Sequence, residues 1–393
     1  MNYILFDHFR RSDLLPLTFL RPVPDIRIGI LTVREKWERY LNARTSTLTE
    51  SYLRKKYPII EEEENIMING SICPNPELVR EILGLESGQI LYQGETVIAM
   101  RLQAGELEKM DDEKAGDESM IESAKMTLKV NNTWDIFALN GTALEEDFNL
   151  ITAGRQSQPL SKTNQLVGNN IFIEEGAKVE CSILNSSTGP IYIGKDAEIM
   201  EGAMIRGPFS LGEQSVVKMG AKIYGPTTVG PFCKVGGEIN NSVFFGYSNK
   251  AHDGFMGQSV IGEWCNIGAD TNTSNLKNTY ENIKLWNYAD KTFVETGKQF
   301  CGLIMGDHSK CGINTMFNTG TVVGISSNIF GPGYQRNFIP SFVWGGTSGH
   351  KAYDIDKAIA VARRVYSRRG MEFSDTDEQI MRNAYTRTLD INT

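Results

Sequence analysis

The chain holds four histidines, the residue type whose charge ordinarily changes near neutral pH, and one of them stands in a polar, glycine-bearing segment, Asn249-Lys-Ala-His252-Asp-Gly-Phe-Met-Gly257. A neutral imidazole there can take a proton from a substrate as a general base. The plainer alternative for His252 is a surface histidine at a turn of the chain. His308, in Gly306-Asp-His-Ser309, is the competing candidate, whereas His8 and His350 have no supporting context. Four arginines, Arg363, Arg364, Arg368 and Arg369, form a basic cluster that either contacts a phosphate or complements a helix end. The six cysteines, at 73, 181, 233, 265, 301 and 311, show no CxxC pair, which predicts reduced thiols rather than disulfides or a zinc site.

These groups need a scaffold, and the sequence supplies one by repetition. Every sixth residue from Ile193 through Ile199, Ile205, Leu211, Val217, Ile223 and Val229 to Val235 is aliphatic. Four residues after each of the first seven come Ala197, Ala203, Phe209, Ser215, Ala221, Thr227 and Cys233, mostly small, and Gly194, Gly212 and Gly230 recur every 18 residues. A period of six within eighteen predicts a hexapeptide β-helix, three short strands to a coil, aliphatic positions inward. After Val235 the phase is read as slipping by two and resuming at Val243, Asn249, Phe255, Ile261 and Ile267, with polar Asn249 breaking the rule. It resumes again at Met305, Cys311, Phe317, Val323 and Ile329, and this register points His308 outward. Residues 273–299 do not repeat and are read as an inserted loop.

Residues 1–160 look different. Apolar segments at Tyr3–Phe6, Asn65–Asn69 and Thr96–Met100 alternate with helix-like stretches at Thr32–Leu41 and Pro76–Leu83, which predicts an α/β domain. The acidic run over 105–123, like Glu61–Glu64, reads as a solvated helix or mobile loop. After the β-helix, assigned to 161–345, helices are expected at Asp354–Arg369 and Asp375–Thr386 within a 346–393 extension, with Gly370 as a stop signal.

Composition sets limits on partners. The 393 residues are 40% hydrophobic and 22% charged, as in folded proteins, and the net charge of −8 argues against nucleic acid. No run nears the roughly 18 apolar residues that span a bilayer. The N-terminus carries no leader pattern, so a cytoplasmic location is expected and no membrane partner.

The segment Asn249–Gly257, then Val260-Ile-Gly-Glu-Trp-Cys-Asn-Ile-Gly-Ala269, then Asn275, resembles the acetyltransferase half of the GlmU family. The runs beginning Leu14-Leu-Pro-Leu-Thr18 and Gln299-Phe-Cys-Gly-Leu303 look like those of the GlmU-like sugar nucleotidyltransferases of Bacteroidetes. The resemblance implies a Rossmann-like nucleotidyltransferase domain followed by a left-handed parallel β-helix, a homotrimer, and transfer of acetyl from acetyl-CoA to an amino-sugar phosphate in UDP-N-acetylglucosamine-type biosynthesis. It places His252 on the catalytic histidine, which deprotonates the substrate amine so that nitrogen can attack the thioester. Lys250, Asn266 and Asn275 fall with the substrate contacts, and the backbone of Gly268 and Ala269 falls to the coenzyme; Arg363 and Arg364, from the basic cluster, are the coenzyme-phosphate candidates. Two positions depart: a family tyrosine on the substrate phosphate is Phe255, and a nearby lysine is Ser242. Lys277, Lys284, Trp286 and Lys298 in the insertion are the replacements on offer.

In the N-terminal domain, Pro16-Leu17-Thr18, Pro22, Pro24 and Gly29 match the sugar nucleotidyltransferase pattern, but the loop after Phe6 lacks glycine. In that register the loop arginine is Asp13, the expected lysine is Val23, and the metal-holding carboxylate after Asn69-Gly70 is Ser71. Arg10, Arg11, Arg21, Arg27 and Asn69 are the nucleotide-site candidates, and Asp7 or Asp25 would have to hold Mg²⁺ if the domain is active on a nucleoside triphosphate. Two alternatives stand beside acyl transfer: nucleotidyl transfer alone with the β-helix for assembly, and a non-catalytic nucleotide-sugar-binding trimer.

Overall fold

The computed structural model describes residues 1–7, 10–106, 119–124 and 128–389. His8 and most of the acidic run fall outside them. Contacts divide the chain into two units, one of Met1–Arg11, Arg21–Ile26 and Leu31–Asn131, the other of Ser12–Leu20, Arg27–Ile30 and Asn132–Thr393.

The first unit is built on a six-stranded sheet. Its order is Ser46–Leu48, Asn2–Phe6, Glu64–Asn69, Thr96–Gln103, Gln89–Gln93 and Ser119–Glu122. The first three strands are parallel, and Glu64–Asn69 pairs antiparallel with Thr96–Gln103. The apolar strand runs foreseen from sequence bury Ile4, Met67 and Met100, and the last strand continues past its foreseen end to bury Leu102. Helix Val33–Leu41 starts at a capping box in which Thr32 and Glu35 satisfy each other's backbone N–H groups. Helix Pro76–Leu83 starts at Asn75, whose side chain accepts from the N–H groups of Glu77 and Leu78.

The second unit is the β-helix. Three parallel sheets of short strands form its faces. Face 1 runs from Gln165–Val167 to Met316–Phe317, face 2 from Ile171–Ile173 to Phe338–Ile339, and face 3 from Lys178–Val179 upward. Face 3 closes on an antiparallel pair, Val343–Gly346 with Gly349–Ala352. Inward residues stack coil on coil, as in the face 2 column Ile193, Leu211, Val229, Phe244, Ile261, Met305, Val323 and Ile339.

The structure corrects the register after Val235. The inward residues are Ile239, Phe244, Lys250, Met256, Ile261 and Ile267, so it is Lys250, not Asn249, that breaks the aliphatic column. Strand pairing sets Val235 opposite Lys250 and Asn249 opposite Asn266. The cause is corner length. The step from Val235 to Ile239 is four positions and from Ile239 to Phe244 five, where the earlier steps are six.

The insertion forms a hairpin, Lys284–Asn287 with Thr292–Glu295, whose Trp286 ring stacks on Phe338 at 4.2 Å. Helices Ile355–Ser367 and Asp375–Leu389 follow the last coil. Tyr366 stacks on Trp264 at 4.0 Å, at the end of an aromatic ladder that continues through Tyr247 and Phe232. Helix Asn140–Thr152 fixes a short N-terminal segment to the same unit: Asn140 accepts from Gly29 N–H and Asp147 from Ile30 N–H, each at 2.8 Å. Gly29 has φ +73°, and a Cβ there would lie 2.7 Å from the Ala143 backbone, so glycine is required. No helix among the described residues is long and apolar enough to cross a membrane.

Candidate active site

The corner from face 3 to face 1 repeats up the solenoid, and its two-residue shortening at Gly236-Gly237 lies directly under the turn Ala251–Gly254. The longer turn settles onto the shorter one. A Cβ on Gly236 would meet the Ala251 carbonyl at 2.5 Å, and one on Gly237, where φ is +73°, would meet the His252 carbonyl at 2.9 Å. Asp270 N–H donates to the Asp253 carbonyl at 3.0 Å from above, and Glu238 N–H to the Gly254 carbonyl at 3.3 Å from below. On this anchored turn the His252 side chain is exposed.

Inside the coil sits Lys250. It is 1% exposed, flanked along the column by Val235 and Ile267, and its ammonium donates to the carbonyls of His252 at 2.5 Å and Asp253 at 3.2 Å. Burial lowers its pKa to about 8, against the attraction of Asp253, Cys311 and Asp270. The substrate contact that the resemblance implied for Lys250 thus falls on a side chain turned away from solvent.

The remaining candidates are distributed around this corner. Asn266 is exposed on face 3 and accepts weakly from Asn249 at 3.4 Å. Gly268 N–H donates to Cys311 carbonyl at 3.2 Å, and Ala269 carbonyl accepts from Asn314 at 2.8 Å, so the backbone here ties coil to coil. Asn275 lies at the opposite edge of face 1, where its amide meets Gln258 at 2.5 Å. The half-buried Phe255 lies on the strand between that edge and His252, and its N–H is held by Asn272 at 2.8 Å. Ser242 is fully buried, with its hydroxyl on the Asn240 carbonyl. Gln258 and Asn272 escaped the sequence reading, because their partners lie one coil away and corner lengths vary.

Arg363 pairs with Glu378 at 2.5 Å, and Arg364 is exposed on the same helix. That helix docks Tyr366 at the Trp264 corner, on the other side of face 3 from His252, so the arginines and Gly268-Ala269 are not brought together. His308 does leave the coil as its register implied, yet it is only 6% exposed, its ring ranged with Trp264 and Tyr366. That burial removes it as a base open to substrate. In the insertion, Lys284 pairs with Glu295 and Lys277 with Glu281.

In the first unit, Asp7 ends strand Asn2–Phe6. Its carboxylate accepts from Thr49 at 2.5 Å, from Val23 N–H at 2.6 Å, and pairs with Arg11 at 2.9 Å. Burial raises its pKa, with Arg11 opposing. Asp25 grips Arg34 with both oxygens, at 2.6 and 3.1 Å. Asn69 orients the Ser71 hydroxyl at 2.7 Å and donates to Val97 carbonyl. Arg10 is exposed and Arg21 buried. Arg27 belongs to the second unit, where its guanidinium donates to the carbonyls of Phe245 and Ile30. These residues do not fit a Mg²⁺ ion: each candidate carboxylate already neutralises an arginine, and among the described residues no group of three metal-ligating side chains forms.

Residues 3–156 match the family model of sugar nucleotidyl transferases. The bifunctional sugar-1-phosphate nucleotidylyltransferase/acetyltransferase of Sulfurisphaera tokodaii is 30% identical over 220 residues, 56% of this chain and 48% of that protein. The bifunctional protein GlmU of Methanocaldococcus jannaschii is 37% identical over 87 residues, 22% of this chain and 21% of its own. The chain thus spans about half, or less, of the length of the curated relatives it matches. Among solved structures, the UDP-N-acetylglucosamine acyltransferase from Campylobacter jejuni covers 57% of this chain and 95% of its own at 13% identity. The TM-score of that match is 0.27.

Proposed function

We propose that this GlmU-like chain transfers an acetyl group from acetyl-CoA to the amine of an amino-sugar phosphate at the His252 corner. The observation that carries the reading is the exposed imidazole on a turn whose backbone is held from above, below and within. His252 takes a proton from the amine as nitrogen attacks the thioester carbonyl. The C–N bond forms, the C–S bond breaks, and the leaving thiolate recovers the proton from the imidazolium. Asn266 stands beside the turn as a sugar contact, and Asn275 with Gln258 bounds the far side of face 1. With Phe255 and Ser242 in place of a tyrosine and a lysine, the acceptor's phosphate needs another cation.

The test is thiol release from acetyl-CoA with glucosamine-1-phosphate. His252→Ala should lose at least about a hundred-fold in kcat with an unchanged circular dichroism spectrum. Equal release by the folded variant sinks the proposal.

A second reading, nucleotidyl transfer by the N-terminal domain, is favoured by the family match over residues 3–156. Pyrophosphate release from a nucleoside triphosphate and a sugar phosphate would reveal it, and the engaged Asp7 and Asp25 argue against a Mg²⁺-dependent version. We further propose a cytoplasmic homotrimer. Its contact is supported by face 1, where Ile183 (42% exposed) and Met204 (44%) line a groove of about 970 Å³ with Tyr224 and Pro226.

A further inference from the structure

We propose that Lys250 is a positioning residue that sets the His252 turn from inside the β-helix, an inference that rests on His252 being the base. Three observations carry it. The side chain occupies an inward position that the column otherwise fills with Val217, Val235 and Ile267. A charged group in such a place is costly unless it is hydrogen-bonded. The partners it finds are the carbonyls of His252 and Asp253, which point into the coil.

The turn explains the arrangement. Elsewhere the corner carbonyls are met by the N–H groups of the next coil, as Glu201 carbonyl is by Gly220 N–H. The four-residue turn at Ala251–Gly254 rests on a corner shortened by two residues, and the ammonium supplies the donor for the His252 carbonyl. Fixing that peptide fixes Cα of His252, and with it the origin of the imidazole. The contact between Lys250 and the reacting atoms is indirect, so its effect belongs in kcat, through the placement of the base, rather than in the affinity for acyl donor.

Lys250→Met keeps the length and removes the ammonium. In the thiol-release assay its kcat should fall by about ten-fold or more while KM for acetyl-CoA stays within about two-fold. Hydrogen exchange should quicken at the amides of Asp270 and Glu238, which donate to the turn, and stay slow at Gly212, two coils below the turn, which donates to the Val229 carbonyl of the adjacent coil. Lys250→Ile, which matches the column's own residues, is the second variant: it should keep the β-helix and still lose kcat, whereas a lysine needed only for folding would let activity track stability. Wild-type kcat in either folded variant overturns the proposal, as does unchanged exchange at Asp270 and Glu238. If His252→Ala retains turnover, or the wild type has none, the reading of His252 as base has failed, and exchange alone then decides whether Lys250 holds the turn.

Discussion

Lys250 and Lys310 are two lysines on face 3 that share a habit. Each donates to the carbonyl of a nearby histidine, Lys250 to His252 and Lys310 to His308, and burial lowers the pKa of each. For Lys250 the folded value is about 8 and the ordinary one 10.5. Between those limits the unfolded chain keeps a proton that the folded chain has released, so stability attributable to this residue rises with pH across that window. Asp253, Asp270 and Cys311 are the titratable groups that face it. Chemical denaturation from pH 7.5 to 10 should therefore show wild type gaining stability relative to Lys250→Met. A constant difference between the two would mean that the lysine titrates as it does in water. The loss of His252→Ala in thiol release belongs at this scale too, because it reads one ring on a turn that the mutation leaves intact.

At the scale of elements, the site depends on the corner beneath it. Gly237 combines φ of +73° with a close approach to the His252 turn. Gly237→Ala should cost about 1–3 kcal/mol in unfolding and lower kcat, since the turn must lift to admit the methyl group. Unchanged stability and turnover would show that the corner yields freely. This same corner explains how far the sequence could be read. The hexad from Ile193 to Val235 was legible because each corner there has the same length, which turns spatial stacking into a fixed period. The α/β strands and the C-terminal helices were legible through apolar spacing and capping residues. Past Val235 the corners shorten to four and then five residues, so the aliphatic period dissolves just where the candidate site begins. A lysine in the inward column next to a polar Asn249 gave no hydrophobic signal in either phase. The exposure of His252 agrees with its place at a turn, and the burial of His308 left no mark in the sequence, because Trp264 and Tyr366 reach it from distant parts of the chain.

At the scale of the whole molecule, each coil of a β-helix touches chiefly its neighbours, so stability accumulates along the stack. The apolar row on face 1 is where a second copy is expected to add to it. Met204→Glu should place charge in that contact and shift the mass measured by light scattering from a trimer toward a monomer, with circular dichroism unchanged. A trimer that survives the change would move the contact elsewhere. The end of the stack is built differently from its middle. A parallel stack leaves a free rung at its last coil, a ready template for another chain. The closing pair, Val343–Gly346 with Gly349–Ala352, turns the last rung of face 3 back on itself in the antiparallel sense. An incoming coil would need a parallel partner and finds the opposite polarity. The parallel rungs of that face therefore stop at a number set by the direction of one strand.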